Sequence, residues 1–528
     1  MKAADGYDQD KTGIKLLKKG RRGLSRMVFS RAGLLAILLL IQVALLLGVL
    51  RYYSELFPHY YAASLVFGVA MALYLINSST NPTGKLTWLA VMTLMPAFGA
   101  LLYLYTRSDV GHRVMRDRFS ALTEETKTRV KQDEQALESF TEKVPEALGL
   151  ARYLSHTGCH PVCAGTEVSY FPLGEDMFEE ILRQLERAEK FIFLEFFIVD
   201  EGLMWGRILE VLARKAKEGV EVRLLYDGTC EFSRLPHNYP KRLKELGIQC
   251  KTFAPITPFV STLYNYRDHR KILVIDGHTA FNGGVNLADE YINHIRLFGH
   301  WKDVGVMLRG EAARSFTLMF LQMWNLDEKT PEFDRYLDGP VPAADVPGFV
   351  IPYGDCPLDE ERVGEWVYMD ILNRARDYVY IMTPYLILDG EMENALKFAA
   401  ERGVDVRIIL PGIPDKKLAW SLAKSHYKSL LRSGVRIYEY SPGFVHAKSF
   451  VCDGREAVVG TINLDYRSLY HHFECATYMN GVSCVEDIHK DFLQTQALCR
   501  PVSFETVKKE KAWIKLAGYV MKLVAPLL

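Results

Sequence analysis

The sequence lacks an excess of charge of either sign, because its 64 lysine and arginine residues equal its 64 aspartate and glutamate residues. No overall electrostatic field therefore draws the chain to nucleic acid or to another polyanion. The chain is nevertheless long, and 528 residues are too many for one compact domain. We expect about two to four structural units.

The sequence also lacks the cysteine pattern of a disulfide framework. Its nine cysteines are odd in number and scattered, which favours a reducing compartment for the main body. One cluster, His156, Cys159, His160 and Cys163, has the residue types of a zinc site. Because the sequence has neither a Cys-x-x-Cys pair nor a second distant pair, we expect no metal and no other cofactor.

Charged residues are almost absent from three stretches near the start, 32–50, 57–76 and 86–105. Each approaches the roughly 20 apolar residues that a helix needs to cross a bilayer, so we predict membrane segments. The preceding tail, 1–31, holds nine basic residues against three acidic ones and is predicted to contact anionic headgroups. A cleaved signal peptide is the alternative for the first segment, but no small-residue cleavage site follows it.

These segments predict a multi-pass protein of the cell membrane, with one conflict over its orientation. A cytoplasmic basic tail followed by three crossings places the body outside, whereas the scattered free cysteines favour the cytoplasm. A segment that is re-entrant, or that lies in the interface, removes the conflict. We therefore expect a catalytic body that faces the cytoplasm.

Two further segments flank the predicted body. Residues 106–149 are charged and are predicted to form a polar helical connector. Residues 501–528 predict an amphipathic helix, in which five lysines alternate with apolar residues. This pattern suits a helix that lies on a membrane surface and equally a helix that packs on the protein. Its apolar residues are Trp513, Ile514, Leu516, Val520 and Leu523.

The body itself is a repeat. The pattern Gly-Val-x-Val-Arg occurs at 219–223 and again at 403–407, each time between a predicted helix and a predicted strand. Self-similarity of this kind indicates duplicated units. We predict two tandem α/β units at 150–345 and 346–500, each an α-β-α sandwich, related by a pseudo-two-fold axis.

One motif, H-x-K-x-x-x-x-D, occurs once in each half. It comprises His269, Lys271 and Asp276 in the first half, and His446, Lys448 and Asp453 in the second. Residues two apart in a strand share a face, so each histidine projects with its lysine. Each aspartate stands in an Asp-Gly turn, which suggests a mainly structural acceptor.

Two histidines and two lysines in one cleft suit a phosphodiester substrate. The lysines neutralise phosphate oxygens, one histidine attacks phosphorus, and the other protonates the leaving alcohol. Each motif is followed by small residues and an amide that would let a phosphate approach the backbone closely. These candidate phosphate-binding residues are Gly284, Asn286, Thr461 and Asn463.

At these residues the sequence resembles the phospholipase D superfamily and, within it, the bacterial cardiolipin synthases. The segments "HRKILVIDGHTAFNGGVNLADEY" and "HAKSFVCDGREAVVGTINLDYRSLYHHFE" resemble that family's two motifs, and "NPTGKLTWLAVMTLMPAFGALLYL" resembles its membrane hairpin. The resemblance implies transfer of a phosphatidyl group from one phosphatidylglycerol to another, which gives cardiolipin and glycerol through a phosphatidyl-histidine.

The resemblance also implies roles for individual residues. By analogy, His269 is the nucleophile, and His446 is the general acid and then the base for the second alcohol. Carboxylates orient the histidines across the two halves, and the matching positions are Glu474 for His269 and Asp303 for His446. Phosphatidylglycerol and cardiolipin in the membrane are the expected partners.

Other functions use the same residues or leave them unexplained. A phospholipase D hydrolase would use water as the acceptor, and a phosphatidylserine synthase would use serine. The balanced charge and the apolar segments argue against a nuclease. A non-enzymatic membrane scaffold leaves the duplicated histidine–lysine pairs without a purpose.

Overall fold

The computed structural model describes residues 60–527, except 79, 80, 95, 108, 109, 159, 237, 256–265, 343 and 360, and also positions 8–10, 13–15, 44, 47, 48, 51 and 52. The expected basic tail 1–31 and first apolar segment 32–50 therefore lie almost wholly outside the described residues. Within the tail, β1 (Asp8–Asp10) and β2 (Gly13–Lys15) form an antiparallel pair.

The second and third predicted membrane segments form three helices, α1 (Tyr60–Ile76), α2 (Pro82–Leu94) and α3 (Pro96–Arg107). The expected crossing at 86–105 is not confirmed as a single helix, because a new helix begins at Pro96, whose ring and missing N–H interrupt a helix. A Cβ atom added to Gly99 would lie 3.0 Å from the Met92 backbone, so α3 folds back tightly on α2. No helix in the described ranges has both the length and the apolar character to cross a bilayer, and the multi-pass topology is not supported.

The segment 106–149 is more than a polar connector. It forms α4 (Val110–Thr126) and α5 (Glu134–Lys143), and α6 (Leu148–Gly158) follows after a 3₁₀ turn at Pro145–Ala147. Phe119, Leu122 and Phe140 are buried in the cores of the body. The charged residues of these helices therefore lie on one side, while the other side is part of the folded body.

The first sheet has seven strands, in the spatial order β4-β12-β10-β9-β5-β6-β7. In chain order the strands are β4 (Glu167–Phe171), β5 (Phe191–Phe196), β6 (Glu221–Asp227), β7 (Gln249–Phe253), β9 (Lys271–Ile275), β10 (Thr279–Gly283) and β12 (Gly305–Arg309). The helices of this part are α7 (Gly174–Glu186), α8 (Leu203–Lys217), α9 (Thr229–Ser233), α10 (Tyr239–Glu245), α11 (Ala313–Trp324) and α12 (Asp334–Leu337), with 3₁₀ turns at Asp289–Ile292 and Asn325–Asp327.

The second sheet is built from β3 (Cys163–Ala164), β13 (Phe349–Asp355), β14 (Tyr378–Met382), β15 (Asp405–Pro411), β16 (Arg436–Tyr440), β18 (Ser449–Cys452), β19 (Glu456–Gly460), β20 (His472–Asn480) and β21 (Cys499–Pro501). Its spatial order is β21-β16-β15-β14-β18-β19-β20-β13-β3. Its helices are α13 (Val363–Arg374), α14 (Gly390–Glu401), α15 (Lys417–Arg432), α16 (Tyr466–Tyr470) and α17 (Cys484–Ala497).

The two sheets repeat one topology. The order β4-β12-β10-β9-β5-β6-β7 corresponds strand for strand to β13-β20-β19-β18-β14-β15-β16. In each sheet, three parallel strands alternate with helices, and a group of antiparallel strands follows. The central strands β5 and β18 are buried along their whole length, because helices cover both faces of the sheets. The predicted duplication is therefore present in the fold.

Contacts across the duplication are extensive. One hydrophobic core contains α11 and α17 and joins side chains of both sheets, such as Phe193 and Val451. The short strand β3, expected in the first unit, pairs instead with β13 of the second sheet, and Leu154 of α6 lies in that sheet's core. Three short strands complete the connection: β8 (Arg267–Asp268), β11 (His300–Lys302) and β17 (Gly443–Val445).

The C-terminal segment is two helices, α18 (Phe504–Lys509) and α19 (Ala512–Val524), followed by a 3₁₀ turn at Ala525–Leu527. Ile514, expected on the membrane-facing side, is buried against the protein, whereas Trp513, Leu516, Val520 and Leu523 are exposed. One side of α19 thus packs on the body and another presents apolar side chains to the surroundings.

The two motif aspartates terminate equivalent strands. Asp276 and Asp453 have φ angles of 53° and 50°, and each side chain accepts three backbone N–H groups at the start of the neighbouring strand. A strand rises about 3.3 Å per residue, so each aspartate lies about the length of one strand away from its histidine. By sequence, Asp276 and Asp453 are candidate catalytic residues. The structure does not bring them into the site, and their side chains instead hold the turns that follow the two strands.

We predict that Asp276→Ala and Asp453→Ala each lower stability by about 2–4 kcal/mol, because three charge-assisted hydrogen bonds are lost at a positive φ. The Asn variants should lose less, because asparagine tolerates this conformation and keeps an acceptor oxygen. Thermal unfolding of the purified protein measures the effect, with the exposed Asp338→Ala as control. An unchanged unfolding midpoint together with lost activity would contradict the structural role.

Candidate active site

The two histidines lie at the start of equivalent strands. His269 lies between β8 and β9, and His446 lies between β17 and β18. Both histidines are 7% exposed, and Lys271 and Lys448 are almost wholly buried. Each histidine therefore lies in a nearly closed environment with a lysine two residues further on.

His269, in the first unit, is held by the second unit. Its backbone N–H donates to the Phe473 carbonyl at 2.9 Å, and its Nδ1 lies 2.9 Å from both carboxylate oxygens of Glu474. The pairing of β8 with β20 brings these residues together, with His472 opposite Arg267. The backbone and the carboxylate thus fix both the position and the orientation of the imidazole.

His446 is held by the first unit in the same way. Its backbone N–H donates to the Lys302 carbonyl at 2.7 Å, and its Nδ1 lies 2.6 Å from Oδ2 of Asp303. Here the parallel pairing of β11 with β17 makes the connection. In both cases the accepting carbonyl belongs to the residue before the carboxylate, so the two arrangements are equivalent and reciprocal.

Burial and hydrogen bonding set the state of the imidazoles. Burial lowers the pKa of His446 to about 4 and holds the pKa of His269 well below its usual value, so both rings are neutral at pH 7. At His446 the ionised Asp303 accepts the Nδ1 proton, so Nε2 keeps its lone pair. Nδ1 of His269 likewise faces the Glu474 carboxyl group, whose pKa burial raises well above its usual range. Each ring therefore offers one nitrogen for attack on phosphorus or for accepting a proton.

The Asp303 carboxylate is ionised. Burial alone would raise its pKa, but the neighbouring His446 and Lys448 outweigh burial and lower it. Its Oδ1 also accepts the Val304 N–H at 2.9 Å. The buried carboxylate is thus fully engaged, which keeps it from rotating away from the histidine.

The lysines provide positive charge that depends on pH. Burial lowers the pKa of Lys271 to about 8 and that of Lys448 to about 7. Each ammonium group donates to the carbonyl of its own motif histidine, and Lys448 Nζ also lies 2.9 Å from Nε2 of His446. An anionic phosphate between them would favour the charged form of both lysines.

The candidate phosphate-binding residues mainly contact the protein. A Cβ atom added to Gly284 would lie 2.0 Å from Oδ1 of Asp303, so glycine here makes room for that carboxylate. At the equivalent position, the Thr461 hydroxyl donates to Glu474. Both residues thus support the carboxylates, and contact with phosphate remains a prediction for them.

The two candidate asparagines differ in their contacts. Asn286 accepts the Ile198 N–H at 2.9 Å and donates to the Tyr291 hydroxyl at 2.8 Å. Asn463 donates weakly to Asp465 at 3.5 Å, and its buried Oδ1 has no hydrogen-bond partner within the described part of the chain. Of the two side chains, Asn463 has the greater capacity left for a ligand.

Sequence reasoning missed a third histidine beside the pair. The ring of His472 lies 5.2 Å from that of His269, and its Nδ1 is 3.5 Å from Oε1 of Glu474. Among the residues that the structure describes, neither of its ring nitrogens has a hydrogen-bond partner. The doubled histidine directly before Phe473 and Glu474 is the signal that could have revealed it. His472 adds a second imidazole to the surroundings of one carboxylate.

Two groups of described side chains have ligand atoms close enough together for a metal ion. The first is His269, His472 and Glu474. Its two imidazoles and one carboxylate suit zinc, but a metal on His269 would compete with the proton shared between that ring and Glu474. The second is Glu365, Asp389 and Glu391, and Arg362 already donates to two of these carboxylates at 2.9 Å.

Two sheets of one topology, each contributing a His-x-Lys strand to a single buried site, define the phospholipase D superfamily. The chain resembles a phosphatidylserine synthase of Haemophilus influenzae in fold, with a TM-score of 0.54 and 15% identity over 68% of this chain and 95% of that one. At that identity the likeness concerns the fold alone.

The family follows from sequence comparison. The cardiolipin synthase PLD-like domain matches residues 181–324 and 368–496, and the phospholipase D-nuclease N-terminal domain matches residues 66–107. A cardiolipin synthase of Geobacillus sp. (strain WCH70) is 34% identical over 88% of this chain and 93% of its own length, and one of Alkalihalophilus pseudofirmus is 32% identical over 91% and 99%. An uncharacterized protein of Streptococcus mutans is 57% identical over 87% and 100%. The chain belongs to the cardiolipin synthase family of phospholipase D-like phosphatidyltransferases.

We predict that Glu474→Gln and Asp303→Asn each lower kcat at least about tenfold with a smaller change in KM, because each replaces the carboxyl group that holds a histidine at Nδ1 with an amide. Steady-state kinetics on phosphatidylglycerol vesicles measures the effect. The exposed Glu486→Gln serves as the control for loss of a carboxylate. Wild-type kcat in both variants would show that the carboxylates do not act through the histidines.

The lysine pKa values predict an alkaline decline in activity. A lysine with a lowered pKa is charged below that pKa, so kcat/KM for an anionic substrate should fall as the pH rises through about 7 to 8. In Lys448→Arg the guanidinium stays charged, and the decline should move to higher pH. Calorimetric binding of inorganic phosphate from pH 6 to 9 gives a readout that does not require turnover. If kcat/KM and phosphate binding decline at the same pH in Lys448→Arg as in the wild type, Lys448 is not the group whose titration causes the decline.

Proposed function

We propose that this protein is a cardiolipin synthase that joins two phosphatidylglycerol molecules and releases glycerol. The reciprocal contacts of His269 with Glu474 and of His446 with Asp303 carry the proposal, because they prepare two neutral imidazoles in one site. One imidazole can act on phosphorus while the other handles the proton of an alcohol.

In the first step, Nε2 of His269 attacks the phosphorus of one phosphatidylglycerol. His446 takes up a proton from solvent on Nε2 when the anionic phosphate enters. The bond between phosphorus and the headgroup oxygen then breaks, and His446 gives that oxygen the proton, so glycerol leaves. The anionic phosphate raises the proton affinity of His446 for this task. Lys271 and Lys448 stabilise the charge that develops on the phosphate oxygens.

In the second step, a hydroxyl of another phosphatidylglycerol loses its proton to His446 as its oxygen attacks phosphorus. The bond between phosphorus and His269 breaks, and cardiolipin forms. Transfer to His269 and transfer from His269 are the same displacement at phosphorus in opposite directions, so the overall reaction is reversible. Asn286, Asn463, Gly284 and Thr461 are the further residues that we expect around the phosphate.

We further propose that the protein works at the surface of the cell membrane, with its body towards the cytoplasm. The helices α1 and α2 expose Val66, Leu73 and Leu86, and α19 exposes Trp513 and Leu516. The Thr87 hydroxyl of α2 donates to the Leu523 carbonyl of α19 at 2.7 Å, which joins the two apolar surfaces. Exposed apolar residues on adjoining helices suit insertion into the lipid interface.

We predict that the purified protein converts phosphatidylglycerol into cardiolipin and glycerol in excess chelator, because the two lysines already provide positive charge at the phosphate. Mass spectrometry of the lipids measures the products. His269→Ala and His446→Ala should each lower turnover by about 10³-fold or more, since both displacement steps need both groups.

Other outcomes identify other functions. Phosphatidic acid as the main product would indicate a hydrolase, and a product formed only with added serine would indicate a phosphatidylserine synthase. Activity that chelator abolishes and a divalent ion restores would contradict the mechanism. With phosphorus-labelled donor, rapid denaturation should trap the label on His269, and label on His446 would reverse their roles.

A further inference from the structure

A cavity of about 470 Å³ lies between the second unit and α19. It is bounded by the start of α15, the loop after β14, the start of α16 and the end of α19. Its inner wall is a small buried cluster of Leu422, Tyr466 and Ala525. A cavity of this size with an apolar inner wall is typical of a site for a small organic ligand or part of a lipid.

The cavity adjoins the surroundings of His446. Asp465 in its wall contacts Asn463 at 3.5 Å. Tyr385, also in the wall, lies 6.5 Å from the Phe444 ring, which lies 5.9 Å from the His446 ring. Through Asp465 and Tyr385, the cavity wall therefore adjoins side chains that lie next to His446 and next to the candidate phosphate-binding residue Asn463.

Positive charge surrounds the cavity. Lys416, Lys417 and Arg467 line it and are exposed, and within the described part of the chain none of them has an ion-pair partner. The one acidic residue of the wall, Asp465, accepts the Ser468 N–H at 2.8 Å and is buried at the start of α16. Three accessible cations next to an apolar wall suit a ligand with both an anionic group and a hydrocarbon part.

We propose that this cavity binds the accepting phosphatidylglycerol, with its phosphate at the three cations, hydrocarbon along the apolar wall and its headgroup hydroxyl towards His446. This inference rests on the proposed function. The donor's phosphate must lie at Lys271 and Lys448 to be attacked, so a second set of cations implies a second phosphate. Met521 of α19 also lines the cavity, so the site is continuous with the helix that we assign to the membrane surface.

The test compares two acceptors in one reaction. Vesicles of labelled phosphatidylglycerol are incubated with ethanol, a small alcohol that needs no lipid-binding cavity, and cardiolipin and phosphatidylethanol are quantified together. In the variant with Lys416→Gln, Lys417→Gln and Arg467→Gln, the ratio of cardiolipin to phosphatidylethanol should fall about tenfold or more, as expected when charge-assisted contacts to one phosphate are lost. Ala419→Trp, which fills the cavity without a change of charge, should lower the same ratio.

Lys428→Gln is the matched control, because Lys428 is an exposed lysine of the same helix outside this cavity, and its ratio should equal that of the wild type. Thermal unfolding verifies that each variant is folded. An unchanged ratio of cardiolipin to phosphatidylethanol in both cavity variants would overturn the inference, because the cavity would then have no part in binding the acceptor. Equal loss of both products would also overturn it, because the cavity would then serve the donor. A wild-type protein that makes phosphatidylethanol but no cardiolipin would instead refute the proposed function.

Discussion

The site depends on one exchange between the two halves of the chain. Each candidate catalytic histidine belongs to one unit, while the carbonyl and the carboxyl group that hold it belong to the other. Neither unit alone can therefore position a histidine, and the docking of the two sheets through their common core is a condition for activity. Loss of one partner would leave a buried charge or a buried polar group uncompensated, which is costly.

Burial then determines the chemistry. The same burial that keeps both imidazoles neutral lowers the pKa of Lys448 to about 7 and that of Lys271 to about 8, so the positive charge of the site responds to nearby charges. An entering phosphate changes this balance, because its negative charge favours protonated lysines and a protonated His446. The site is thus selective for an anionic ester, and its electrostatic stabilisation is strongest when that ester is present. In the arrangement that we propose at the membrane surface, the apolar surfaces of α2 and α19, joined at Thr87 and Leu523, would bring such esters within reach from the lipid.

Much of this arrangement was predictable from local sequence, and the reasons are physical. The two His-x-Lys strands and the recurrent Gly-Val-x-Val-Arg segments indicate the duplication because strand and turn patterns are local. The contacts of Glu474 with His269 and of Asp303 with His446 agree with the resemblance to known relatives, whereas periodicity alone gives no information about pairs so far apart in the chain.

What could not be predicted depends on tertiary packing. Hydropathy did not distinguish one span from a tight hairpin at Pro96, because the close approach of Gly99 to Met92 is a packing feature. Likewise, only the fold shows that Ile514 faces the protein, that β3 joins the second sheet, and that Gly284 leaves space for Asp303. His472 lies outside the H-x-K spacing, so only the fold shows that its ring is 5.2 Å from that of His269.

The central claim is that two histidines divide one transfer into two displacements at phosphorus. The stereochemical course of the reaction tests this most directly. Each in-line displacement inverts the configuration, so a phosphatidylglycerol donor made chiral at phosphorus should give cardiolipin with overall retention. Inversion would mean that the second alcohol attacks the donor directly, and it would contradict a covalent intermediate on His269.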